Sequence, residues 1–249
     1  MTLPHLDCHA HVSPNVTPRQ LEGLGSAIIL AMTREPAEAV VAARRKDANI
    51  LWGCGAHPSF VAKGGSVDLD QFASTASSFA VVGEIGMDRR SGNLKHQADI
   101  FDGLLSRLEK EPVLMSVHSA GCTTEVTKIV RRHQPQGAIM HWFSGQREEL
   151  NELLSLGVYF SVNVAMRREI LSALPMDRVL PETDFPVARK RTGVRPGDTG
   201  QLELLLADIY GSDPADVRRQ CYRNLRRISV TTGAIDRMPM HVVDLLLVA

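Results

Sequence analysis

Neither sign of charge is in surplus: 28 lysines and arginines face 28 aspartates and glutamates over 249 residues. No global field therefore recruits nucleic acid or an anionic membrane, and any polyanion must be met by a local patch. Cysteine is sparse, and Cys8, Cys54, Cys122 and Cys221 are scattered with no Cys-x-x-Cys pair. That excludes a zinc ribbon and a disulfide framework and fits a reducing compartment. Long apolar runs are missing too. The N-terminus has no apolar signal core, and Val242-Val243-Asp244-Leu245-Leu246-Leu247-Val248 is too short to span a bilayer. The expectation is a cytoplasmic chain that engages no membrane. No Gly-x-Gly-x-x-Gly follows a strand, which counts against a doubly wound dinucleotide-binding sheet.

What is present is an alternation of apolar runs and amphipathic stretches, in a chain that is 44% hydrophobic and long enough for a sizeable core. Continuous apolar runs such as Ser26 to Thr33 suit strands buried on both faces. They recur over Leu6 to Val12, Ile50 to His57, Phe79 to Asp88, Val113 to His118, Gly137 to Phe143, Val158 to Val164 and Val179 to Asp184. A helical segment follows each, the longest spanning Asn93 to Glu111, with Ile100, Phe101, Leu104, Leu105 and Leu108 on one face. Helices over Gln201 to Tyr210 and Pro214 to Ile228 close the order. Eight such units predict an α/β fold, a TIM (β/α)8 barrel in one domain over 1–249, with the tail after about residue 230 unassigned.

In such a barrel, chemistry sits at the C-terminal ends of the strands. His9 and His11 end the first strand, His57 the third, Glu84 and Asp88 the fourth, His118 the fifth, His141 the sixth and Asp184 the eighth. Asp7, His9 and His11 share one face of the first strand, so Asp7 is placed to orient an imidazole through its other ring nitrogen. Four histidine ligands and two carboxylates at one mouth are costly to bury without a cation. The ligand count predicts two divalent ions, magnesium, manganese or zinc, about 3.5 to 4 Å apart and sharing a hydroxide. His9, His11, Asp184 and one oxygen of Glu84 would hold the first; the other oxygen of Glu84, His118 and His141 the second. No lysine stands near the end of strand four, so Glu84 is the bridge by default.

Arg89, Arg90, Arg167, Arg168, Arg189, Lys190, Arg191 and Arg195 lie near the predicted mouth as candidate phosphate contacts. Asn163, at the end of strand seven, could donate or accept hydrogen bonds there. Trp142 alternates toward the helix layer and reads as packing rather than base stacking.

The ordered motifs Asp7-Cys8-His9-Ala10-His11, Gly55-Ala56-His57-Pro58, Gly83-Glu84-Ile85-Gly86-Met87-Asp88, His118-Ser119, His141-Trp142-Phe143-Ser144-Gly145 and Glu182-Thr183-Asp184-Phe185-Pro186 resemble the TatD family of metal-dependent hydrolases and deoxyribonucleases. The resemblance implies that His9, His11, Glu84, His118, His141 and Asp184 are ligands, that Asp184 orients or deprotonates the attacking water, and that His57 contacts the phosphate. It implies DNA ends or single strands as substrate. Compact relatives in anti-phage gene cassettes add protein partners in a defence complex as an expectation. The chain departs from the family pattern at Ala120, where an arginine is usual, at Arg89-Arg90, where aromatics are usual, and at Ser161-Val162-Asn163. Two other readings stand beside the nuclease: an amide or ester hydrolase of a small molecule, and a weakly active subunit retained for binding.

Overall fold

In the computed structural model, which describes residues 2–187 and 193–249, eight strands form one parallel sheet in sequential order. They are β1 (Leu6–Ala10), β2 (Ile28–Ala31), β3 (Ile50–Cys54), β4 (Val81–Gly86), β5 (Leu114–His118), β6 (Ala138–His141), β7 (Tyr159–Val162) and β8 (Val179–Pro181). Every residue of β1 to β4 is buried, as strands covered on both sides require. Each ladder is shorter than the apolar run that encodes it, although β5 still runs to His118 and β4 carries Glu84 within its span.

The intervening helices are α1 (Pro18–Glu22), α2 (Pro36–Ala42), α3 (Pro58–Ala62), α4 (Leu69–Ala76), α5 (Leu94–Arg107), α6 (Thr123–His133), α7 (Arg147–Ser155) and α8 (Arg168–Ala173). Side chains cap the starts of some of them. Thr17 and Gln20 form a reciprocal capping box on α1, and Asp68 accepts from the amides of Asp70 and Gln71 on α4. After β8 come α9 (Gly200–Tyr210), α10 (Pro214–Thr232) and α11 (Met240–Val248). Asn224, fully buried on α10, donates to the carbonyls of Met176 and Val179 and so holds the start of β8. No helix among the described residues is long and apolar enough to cross a membrane.

The sheet closes where its first strand meets its last. The Asp184 amide donates to the His9 carbonyl at 2.9 Å and the His11 amide to the Phe185 carbonyl at 2.7 Å. Below them the buried Asp7 carboxylate accepts from the Thr183 amide at 3.0 Å, the Thr183 hydroxyl at 2.6 Å and the Gly197 amide at 2.8 Å. Burial pushes Asp7 up to about 7, against the pull of these donors. Asp7 is therefore a seam clamp. The expectation that it orients an imidazole is corrected, since neither ring nitrogen of His9 or His11 bonds to it.

Candidate metal centre

Two irregularities in the ladders aim the key side chains. The β1–β2 register shifts between Asp7 and Ala10, around His9, and the β4–β5 register shifts between Val82 and Ile85, around Glu84. Such bulges re-aim a side chain at a barrel rim. His118 and His141 are the last residues of β5 and β6, His57 is the N-cap of α3, and Asp184 lies beyond β8 at φ 46°.

These residues converge on Glu84, whose two oxygens divide them. His11 Nε2 lies 3.1 Å, His57 Nε2 3.2 Å and His9 Nε2 3.7 Å from Oε2. His118 Nδ1 contacts Oε1, and His141 Nε2 stands 3.8 Å from it. Asp184 repeats the division from the opposite side: Oδ1 is 3.7 Å from His9 and 3.8 Å from His11, while Oδ2 is 4.0 Å from His141. His9 Nε2, His11 Nδ1, His118 Nε2 and Glu84 Oε2 are buried without a hydrogen bond among the described residues. Unpaired buried nitrogens and a carboxylate oxygen in one cluster are the donor set that a divalent cation satisfies. Asp88 stands at the margin, its Oδ2 4.0 Å from His118 Nε2 and its carboxylate capping the turn at Arg90 and Ser91.

A second layer sets the ring tautomers. His141 Nδ1 pairs with Glu182 at 2.9 Å, and Glu182 also accepts from the Ser161 hydroxyl and from Asn163 Nδ2 at 2.8 Å. His9 Nδ1 pairs with the Ser116 hydroxyl at 2.7 Å. Both arrangements leave Nε2 free to ligate. His57 is the reverse case: its Nδ1 accepts from the Ser59 amide at 3.0 Å, which leaves the proton of the neutral ring on Nε2. His57 thus presents a donor to the centre rather than a lone pair.

Charge follows the same geometry. Burial alone would raise the Glu84 carboxyl, but the charge of His118 and the rings of His11, His118 and His57 set close around it hold it well below the usual carboxylate range. Burial would likewise lower His141, and Glu182, Asp184 and Glu84 outweigh it, raising the ring to about 10. His9, stacked on His141 with centroids 3.8 Å apart, is held well below its usual value by burial and by that neighbouring charge. Burial pushes Asp184 up to about 6, Glu182 and Glu84 adding to the effect and His141 opposing it.

The outer residues fall differently from expectation. Asn163, expected to meet substrate, is wholly buried, with its amide nitrogen on Glu182 and its oxygen on the Ala165 amide, so it supports the second layer instead. Arg89 is drawn away by the next strand's loop: its guanidinium donates to the Gly121 carbonyl and to Glu125 at 2.9 Å. Arg90 is exposed on the same turn. Arg168 pairs with Asp208. Arg189, with Lys190 and Arg191, lies outside the described residues. Trp142 is half-buried against the core. Glu182 was missed as a site residue, although it lies two positions before Asp184, the spacing that linked His9 to His11.

A closed parallel barrel with a histidine and carboxylate centre at its C-terminal rim defines a metal-dependent hydrolase. Residues 5–229 match the family model described as TatD related DNase, and the chain belongs to that family. The metal-dependent hydrolase YjjV of Escherichia coli K12, itself uncharacterized, is 24% identical over 178 residues, covering 66% of this chain and 69% of that protein. A protein of Erwinia billingiae named 3'-5' ssDNA/RNA exonuclease TatD is 25% identical over 197 residues, covering 70% and 75%. Among solved structures, YjjV superposes with a TM-score of 0.77 at 19% identity over 92% of this chain and 98% of the other. A TatD family hydrolase from Entamoeba histolytica gives 0.72 at 14% identity over the same shares.

Proposed function

We propose that the protein is a nuclease that cleaves phosphodiester bonds at DNA ends or in single strands, with two divalent ions at the rim. The observation that carries this is the division of the set, in which Glu84 and Asp184 each turn one oxygen toward His9 and His11 and the other toward His141, with His118 also on the second oxygen of Glu84. Two ions held so would supply Lewis-acid polarisation of the phosphoryl group and of the attacking water. The chain's own residues do the rest. His9 and His141, each fixed through Nδ1, present Nε2 as ligands. Asp184, whose two oxygens face the two sets of histidines at the rim, accepts the proton of the attacking water. His57, with its proton on Nε2, donates to a non-bridging phosphate oxygen and stabilises the charge that develops there.

The name of the Erwinia relative supports this substrate class. The withdrawal of Asn163 and Arg89 from the mouth leaves fewer phosphate contacts than the sequence predicts, which favours small esters or amides as the competing substrate.

The test joins metal analysis to digestion of 3'- and 5'-labelled single-stranded and duplex DNA. The expected result is close to two ions per chain, loss of cleavage on chelation, and Glu84→Gln protein depleted at both positions. Full metal content with cleavage of a small ester and none of DNA would replace the nuclease reading, and unchanged metal content in Glu84→Gln would remove Glu84 as the bridge.

A further inference from the structure

Beside the centre, a cleft of about 490 Å³ opens between the segment that joins β1 to α1 and the chain that follows β8. Val16, Leu24 and Phe185 line it with apolar surface, Asn15 and Arg195 with polar groups, and His11 forms the wall shared with the centre. Phe185 directly follows Asp184, so two candidate ligands are continuous with the cleft. Arg195 ties the two walls together by donating to the Gly23 carbonyl at 2.9 Å. No step derived above uses this space.

The lining selects its occupant. A phosphate would exchange water for a mostly apolar surface with one guanidinium at its edge, an unfavourable transfer. A nucleobase has apolar faces and an amide-like edge that match the Phe185 ring, the aliphatic walls and the Asn15 amide, and the volume lies in the range of sites for groups of nucleoside size. Stacking and apolar contact do not discriminate among bases, because each base has a π-face. We infer that this cleft receives a nucleobase flanking the scissile phosphate, an inference that rests on the nuclease reading.

The test uses the metal-loaded full chain and three substrates: a single strand, the same strand with one abasic residue at its last or next-to-last position, and methyl p-nitrophenyl phosphate, a chromogenic diester with no ring at the flanking position. In the parent, removing the flanking base should raise KM roughly tenfold. Val16→Trp, which narrows the cleft without touching the centre, should raise KM for the intact strand to that of the abasic strand and leave metal content and turnover of the chromogenic diester unchanged. Equal KM for intact and abasic strands in the parent would overturn the cleft assignment alone, whether or not the variant folds. A well-metallated Val16→Trp protein that still discriminates the strands would do the same. Hydrolysis of the chromogenic diester with no cleavage of any strand would remove the nuclease reading, and the cleft assignment with it.

Discussion

Glu182 carries more of the centre than its position behind the ligands suggests. It is fully enclosed and accepts hydrogen bonds from His141, Ser161 and Asn163, so its charge is compensated on three sides and directed at one ligand ring. A carboxylate behind a ligating imidazole raises its basicity, and losing such a partner costs 10- to 100-fold in metal affinity. Glu182→Gln should therefore bind metal about tenfold more weakly by competition with a chromogenic chelator. Unaltered affinity would reduce Glu182 to packing. At this scale the ligand residue types were legible because strand alternation places His9, His11 and the other strand-end residues at one rim. Their partners were not, because Ser116 and Glu182 come from other strands and a one-dimensional pattern does not show which ring nitrogen they meet. Asp7 misled for the same reason: its same-face spacing is real, but its carboxylate finds closer donors across the seam.

Among the elements, the end of β3 is under the tightest constraint. A Cβ on Gly55 would lie 2.0 Å from the Thr33 carbonyl oxygen and 2.7 Å from the Glu84 amide nitrogen, so no side chain fits without moving the backbone that carries Glu84. Gly55→Ala should lower stability by about 3 kcal/mol in chemical denaturation and also reduce metal content. Normal metal content in a folded variant would show that this backbone is free to relax. The strand and helix order was readable from the alternation of apolar runs with 3.6-residue patterns. Among the described residues, two helices escaped it. Five-residue α3 is too short to display a period, and α11 is so uniformly apolar that its pattern reads as a tail rather than as a face packed on α10.

On the scale of the whole molecule, the barrel is also tied at the end opposite the mouth. Arg218 of α10 donates to Glu203 of α9 and to the Leu3 carbonyl, while His5 bonds to the same carboxylate. Burial would raise Glu203, yet the hydrogen bonds from His5 and Arg218 hold it below its ordinary value. A carboxyl depressed in the folded state stabilises the fold above its unfolded pKa, and that contribution is lost as pH falls through the folded pKa. The melting-temperature gap between the parent and Glu203→Gln should accordingly be widest near neutrality and narrow as pH falls below the ordinary glutamate value of about 4.3. A gap that stays constant across that range would show that the carboxylate's charge contributes nothing. The seam at the mouth carries a consequence of another kind, one of timing. His9 and His11 stand near the start of the chain and Asp184 beyond the eighth strand, so during synthesis the two histidines leave the ribosome long before their carboxylate partner exists. Until the last strand docks on the first, the chain can offer an ion only fragments of the set, and the complete site is assembled in the same event that closes the barrel.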